Sequence, residues 1–211
     1  MNGREMSVEQ VMSEVLADRP FYTSTGGGVT ISGGEPALSA GFVRAILARC
    51  KDEGIHTAIE TCGYCSWNAL ASLLPVTDLI MMDLKVMTPE QHAQATGNTN
   101  ERILANAQML AMTGLPLVFR TPVVPGVNDT PDEIRKIVVF IQDLIALRER
   151  NGHDASGSIS YELLTFHKLG SDKYRSLDME YRASPLAPVR REQMQQLLDL
   201  ATEAGLVARL R

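Results

Sequence analysis

Short apolar runs alternate with amphipathic helical stretches along nearly all of this 211-residue chain, and that alternation most limits what it can fold into. Runs at 29–32, 55–61, 79–84, 117–121 and 159–163 have the length and composition of strands, and the run at 79–84 is that of a strand buried on both faces. Strands separated by helices bury their apolar sides as βα units of a parallel sheet, closed as a barrel or open. The expected fold is therefore α/β, a single domain over 1–211.

The helical signals fall between the strands. Ser7-Val8-Glu9-Gln10 is a capping box opening a helix to Asp18. Leu38, Phe42, Ile46, Leu47 and Cys50 share a helical face that ends at Gly54, and a short helix at 67–74 stops at Pro75. Thr88-Pro89 and Thr130-Pro131 each put proline in a first turn. Further helices are expected at 102–112, along Ile134, Ile137, Val138, Ile141 and Ile145, and at 191–204, with a polar loop at 151–158 and a long loop at 171–188 that covers a site.

Composition excludes several roles. A net charge of -5 with no basic stripe argues against a nucleic-acid partner. No apolar run has membrane-spanning length, and the first ten residues lack a signal-peptide core, so no membrane partner and a cytoplasmic location are expected. Three cysteines do not make a disulfide framework.

Ligands of parallel βα proteins collect at the carboxyl ends of the strands. Here the strand ends carry, in order, Gly33-Gly34-Glu35-Pro36, then Glu60-Thr61-Cys62-Gly63-Tyr64, Asp83-Leu84-Lys85, Arg120 leading into Thr121-Pro122-Val123-Val124-Pro125-Gly126, and Thr165-Phe166-His167. Singly, each has a plain reading: a tight turn, an ion pair between Asp83 and Lys85, a solvated histidine. Charges at the ends of five apolar runs are costly unless paired, and together they point to one shared polar ligand.

These blocks, GGGVTISGGEP, IETCGY, MMDLK, RTPVVPG and LLTFHKLG, stand in the same order as in the activating enzymes of glycyl radical enzymes, within the radical S-adenosylmethionine (SAM) superfamily, which the chain resembles over nearly its whole length. The opening segment, 1–22, resembles the subgroup with a ferredoxin-like insert, which leans away from the simplest formate-lyase activases. The resemblance implies a partial (β/α) radical SAM barrel, TIM-barrel-like, five units of a parent six. It implies an oxidoreductase that cleaves SAM reductively at a [4Fe-4S] cluster, giving a 5′-deoxyadenosyl radical that takes hydrogen from a glycine of a partner enzyme. The partner would be a glycyl radical enzyme of the formate-lyase, glycerol dehydratase or choline lyase type, with a flavodoxin or ferredoxin-type reductant. By the same resemblance Gly33, Gly34 and Glu35 lie against the methionine moiety, Lys85 near the ligand carboxylate, Arg120 and the Val123 backbone near the methionine carboxylate and adenine, and His167 at the ribose. Glu60, Thr61, Met81 and Asp83 resemble a monovalent cation site, Met81 through its carbonyl.

The family's CxxxCxxC cluster motif does not occur in these 211 residues. Cys50 falls on a helix face, and Cys62 and Cys65 form a CxxC that reads as structural. The expectation is a core domain lacking its first strand and cluster loop, with an open edge beside 29–32 and no catalytic residues beyond those positioning the cofactor. Two alternatives stand beside the activase: another radical SAM modifying enzyme, and a non-catalytic remnant of the fold.

Overall fold

The computed structural model describes residues 4–154, 158–167, 174, 175, 178 and 185–211. Six strands form one parallel sheet: β1 (Gly28–Ile31), β2 (His56–Thr61), β3 (Leu79–Asp83), β4 (Leu117–Val123), β5 (Ile159–Thr165) and β6 (Ala208–Leu210). Their order across the sheet is their order in the chain. The five expected strands are present and a sixth follows them. Among the described residues β1 pairs only with β2, so it is an edge.

The helices with described bounds are α1 (Val8–Ala17), α2 (Arg19–Thr25), α3 (Ala40–Asp52), α4 (Trp67–Ala71), α5 (Pro89–Thr96), α6 (Glu101–Ala111), α7 (Pro131–Arg150) and α8 (Arg191–Glu203). Ser7 and Gln10 make the reciprocal capping box at α1, and Thr130 accepts from the Glu133 amide at the start of α7. Some expectations need correction. Leu38 lies in a 3₁₀ turn, Pro36–Ser39, and is 78% exposed, while Phe42 is 42% exposed. The buried face of α3 is Val43, Ile46, Leu47 and Cys50. Pro75 sits inside a second 3₁₀ turn, Leu74–Val76, because a proline in the first turn costs no hydrogen bond. Most of the loop expected at 171–188 and part of that at 151–158 lie outside the described residues. No helix among those described is long and apolar enough to cross a membrane.

Strand alternation gives the sheet two unlike faces. Ile59, Ile80, Met82, Phe119, Tyr161 and Leu163 are fully buried on one, within a continuous core that includes residues of α3, α6, α7 and α8. A smaller core joins Met12 of α1 to Ile46, Cys50 and Ile55. The registers Glu60↔Met81, Asp83↔Arg120, Arg120↔Glu162 and Glu162↔Arg209 put all these residues on the other face.

At the amino ends of the strands, Arg148 of α7 is completely buried. Its guanidinium donates to the Ala111 and Leu115 carbonyls (3.1 and 2.7 Å) and to Ser158 Oγ (2.8 Å), tying α7 to the α6–β4 turn. Burial lowers the pKa of that group.

One glycine is dictated by the sheet itself. A Cβ on Gly28 would lie 2.0 Å from the His56 carbonyl oxygen, a backbone atom that cannot yield. Gly28→Val should therefore lower stability by about 2 kcal/mol or more, whereas Gly34→Ala, where the added carbon meets nothing within 4 Å, should stay within about 0.5 kcal/mol. Urea unfolding followed by circular dichroism measures both.

Candidate functional site

Each βα turn brings its strand-end residue to the same rim. Gly33 has a φ of +127°, open to glycine and rarely to other residues, and Gly33 and Gly34 are exposed. Glu35 turns back toward the sheet. Its carboxylate accepts from the Ala37 amide (3.2 Å), the Cys62 amide (3.0 Å) and the Cys62 thiol (3.1 Å), and Thr61 Oγ1 lies 2.7 and 2.8 Å from its two oxygens. Glu35 thus fastens the glycine turn after β1 to the end of β2, and its side chain is committed to that task.

The charged face carries a relay of ion pairs across the ends of β2, β3 and β4, joined by a hydrogen bond from the end of β1. Arg120 Nη1 donates to Glu60 Oε1 at 2.5 Å and Nη2 to Asp83 Oδ1 at 3.3 Å. Ser32 Oγ donates to the second Glu60 oxygen at 2.5 Å, and Lys85 Nζ stands 3.3 Å from Asp83 Oδ2. The expected Asp83–Lys85 pair is present, as one link of a longer chain. Two carboxylates face two cations, so the group is neutral as a whole. Arg120 is only 13% exposed in its side chain, and its Nε is a buried donor with no partner among the described residues.

The pKa shifts report the balance of burial against pairing. Burial alone would raise the Glu60 carboxyl; hydrogen bonds from Arg120 and Ser32 and the Arg120 charge outweigh it and hold the pKa below the ordinary value. Burial would lower the Arg120 guanidinium, and Glu60 and Asp83 reverse that.

Glu60 and Thr61 are consecutive in a strand, so their side chains point to opposite faces, and the Thr61 hydroxyl is held by Glu35. A cation at Glu60 and Asp83 would meet Thr61 only through its backbone. Met81 is on the charged face, its sulfur 3.8 Å from Arg120 Nη1. Val123 closes β4 and is buried, while His167 lies just beyond β5 and is exposed.

A second charged group was not singled out from the sequence. Glu162 is buried in the middle of β5, where Arg209 Nε (2.6 Å) and Arg211 Nε (3.0 Å) share its Oε1. The signal was legible: an acid inside the apolar run 159–165, and arginines alternating at 209 and 211.

The thiols do not gather. Cys50 is buried under α1, 3.8 Å from the Met12 sulfur. Cys62 donates to Glu35, and burial raises its pKa. Cys65 is buried behind Asn106, which donates to the Cys65 carbonyl at 3.0 Å, and burial pushes its thiol up to about 12. Among the described residues no three His, Cys, Asp or Glu side chains stand close enough to hold a metal ion. These three cysteines do not fit an iron–sulfur cluster, which needs accessible thiolates converging on one point.

Residues 1–141 match the family model of the radical SAM superfamily. The chain is 36% identical over 206 residues to the pyruvate formate-lyase 1-activating enzyme of Escherichia coli, covering 96% of this chain and 79% of that protein. The chain belongs to the radical SAM superfamily, among its glycyl radical enzyme activating enzymes. It is 38% identical to the isethionate sulfite-lyase activating enzyme of Nitratidesulfovibrio vulgaris, over 84% of this chain and 54% of that one. This radical SAM chain thus spans about half the length of that relative. Among solved structures it is similar to a domain of a pyruvate-formate lyase-activating enzyme from Bacteroides vulgatus, with a TM-score of 0.69, 28% identity, and coverage of 88% of this chain and 99% of that one.

Two outcomes follow from the electrostatics and the thiols. Arg120→Met leaves Glu60 and Asp83 facing one another without their shared cation, and should cost about 2 kcal/mol near neutral pH. Because the Glu60 pKa is depressed in the folded protein, its stabilising effect is present above the ordinary carboxylate range and lost as pH falls through its folded value; in Arg120→Met that acid-limb loss should flatten, as read from urea midpoints between about pH 3 and 7. In the native protein at pH 8 a thiol reagent should modify Cys62 first, with Cys50 and Cys65 reacting only on unfolding, as mass spectrometry of the labelled peptides would show.

Proposed function

We propose that this chain forms the SAM-binding platform of a glycyl radical enzyme activating enzyme. The observation that carries the proposal is the neutral relay Ser32–Glu60–Arg120–Asp83–Lys85, set beside an exposed Gly33-Gly34 turn at the carboxyl ends of parallel strands. The amino-acid end of SAM is a zwitterion, and a rim bearing both charges accommodates both of its groups. The orphaned Arg120 Nε offers one further donor to a carboxylate. Gly33 and Gly34 leave backbone accessible where a side chain would otherwise stand. Lys85 and Arg120 hold the carboxylate end, while the Val123 backbone and His167 serve the adenosine end. A monovalent cation at the Thr61 and Met81 carbonyls would have to share Glu60 and Asp83 with the Arg120 guanidinium. When bound, SAM supplies the adenosyl group whose one-electron release serves hydrogen abstraction from a glycine of the partner enzyme. A flavodoxin or ferredoxin-type protein would provide that electron.

Cys50, Cys62 and Cys65 do not supply the cluster that such chemistry uses, so these 211 residues are a binding platform and not a complete catalyst. Calorimetry with SAM should show weak binding, in the high micromolar range or above, further weakened about tenfold in Arg120→Met. After anaerobic iron–sulfur reconstitution and dithionite, this chain should yield no 5′-deoxyadenosine. Production of 5′-deoxyadenosine that disappears in Cys62→Ala would overturn the reading.

A further inference from the structure

Beside the charged relay, between the β2 and β3 carboxyl ends and α5, lies a partly enclosed cavity of about 160 Å³. Cys62, Tyr64, His92 and Ile103 contribute to its wall, and Asp83 and Lys85 form the side it shares with the relay. A cavity of roughly 150 Å³ is enough for a benzene ring. Most of the lining is apolar, so an uncharged ring gains there what a charged group would lose by leaving water.

Thr96 and the exposed Asn98 also border the cavity, and the buried side chain in its wall with an uncommitted polar atom is His92. His92 is only 3% exposed. Its Nδ1 is 2.6 Å from the Asn98 carbonyl oxygen, and since a carbonyl only accepts, Nδ1 carries the proton. Thr96 Oγ1 lies 3.0 Å from the same Nδ1 and donates to the His92 carbonyl. Nε2 has no partner among the described residues, and in the neutral ring it is an acceptor. The Tyr64 hydroxyl is engaged with Asn98 Oδ1 and the Cys62 thiol with Glu35, so neither serves Nε2.

We propose that this cavity is a binding site for a ring-sized, uncharged group carrying one hydrogen-bond donor, as in a phenol, with the donor on His92 Nε2 and the ring between Tyr64 and Ile103. The proposal does not rest on the SAM platform reading, although Asp83 and Lys85 border both sites. The ring could belong to a polypeptide side chain or to a free small molecule, and the two sources present the same chemistry to the pocket.

The test is a titration of isotopically labelled protein with phenol, and separately with toluene, followed by the resonances of Cys62, His92 and Ile103. Phenol should shift these signals and bind about five- to tenfold more tightly than toluene, and His92→Phe should reduce that preference to less than about twofold while toluene still binds. Equal affinity for the two ligands in the wild-type protein would overturn the proposal, as would phenol-induced shifts that spare these three residues; neither result needs the variant to fold. Titration with N-acetyl-tyrosinamide separates the sources. The same shifts would support the pocket and assign it to a polypeptide side chain, and their absence where phenol binds would support it and assign it to a free ring. Neither outcome depends on SAM binding, so failure here leaves the platform reading standing.

Discussion

The guanidinium of Arg120 is the interaction on which the arrangement of the rim depends. It joins a carboxylate of β2 to a carboxylate of β3 while rooted in β4, so three strand ends are fixed by one planar group. Without a cation there, two half-buried carboxylates would face one another on the same sheet face. With it, Ser32 and Lys85 complete a neutral set from β1 to β4. The opposite face needs no such device, because Ile59, Ile80, Met82, Phe119 and Leu163 pack there against helices. The sheet is thus a boundary between a dry side that holds the fold and a charged side that presents a site.

Much of this was legible in the sequence. The strands announced themselves as apolar runs between helical patterns, and their carboxyl ends announced the site through charges that apolar runs do not ordinarily carry. Registers were not legible. Knowing that Glu60, Asp83 and Arg120 each end a strand does not reveal that Arg120 sits level with Asp83 and bridges to Glu60, because pairing depends on how four strands slide against one another. The roles within GGEP also needed coordinates. The carboxylate of Glu35 proved to be a fastener between β1 and β2, a use decided by the Thr61 hydroxyl and the Cys62 amide.

Two elements were missed for local reasons. α2 begins with Arg19-Pro20, which reads as a break, yet proline is tolerated in a first turn, and the Arg19–Glu53 pair anchors the helix from 34 residues away. β6 is three residues long with an arginine at its centre, and it exists because Glu162 of β5 draws both Arg209 and Arg211 onto the sheet. The Arg19–Glu53 pair leaves no periodic trace, and the alternation at 209 and 211 is too short a pattern to read as a strand by itself. Leu38 misled in the opposite sense: it keeps helical spacing with Phe42, but Pro36 starts a tighter turn that rotates it into water.

The identity between strand order and chain order bears on how the molecule is made. Each strand from β2 onward pairs with the one translated just before it, so a chain leaving the ribosome can extend the sheet one βα unit at a time. No strand has to be threaded between two that have already paired. Sequence separations between partners stay near the length of one unit, which shortens the loops closed at each step and favours rapid assembly for a parallel sheet. Each pairing also presents a fresh edge for the next, so growth during synthesis is directional, running from β1 toward β6.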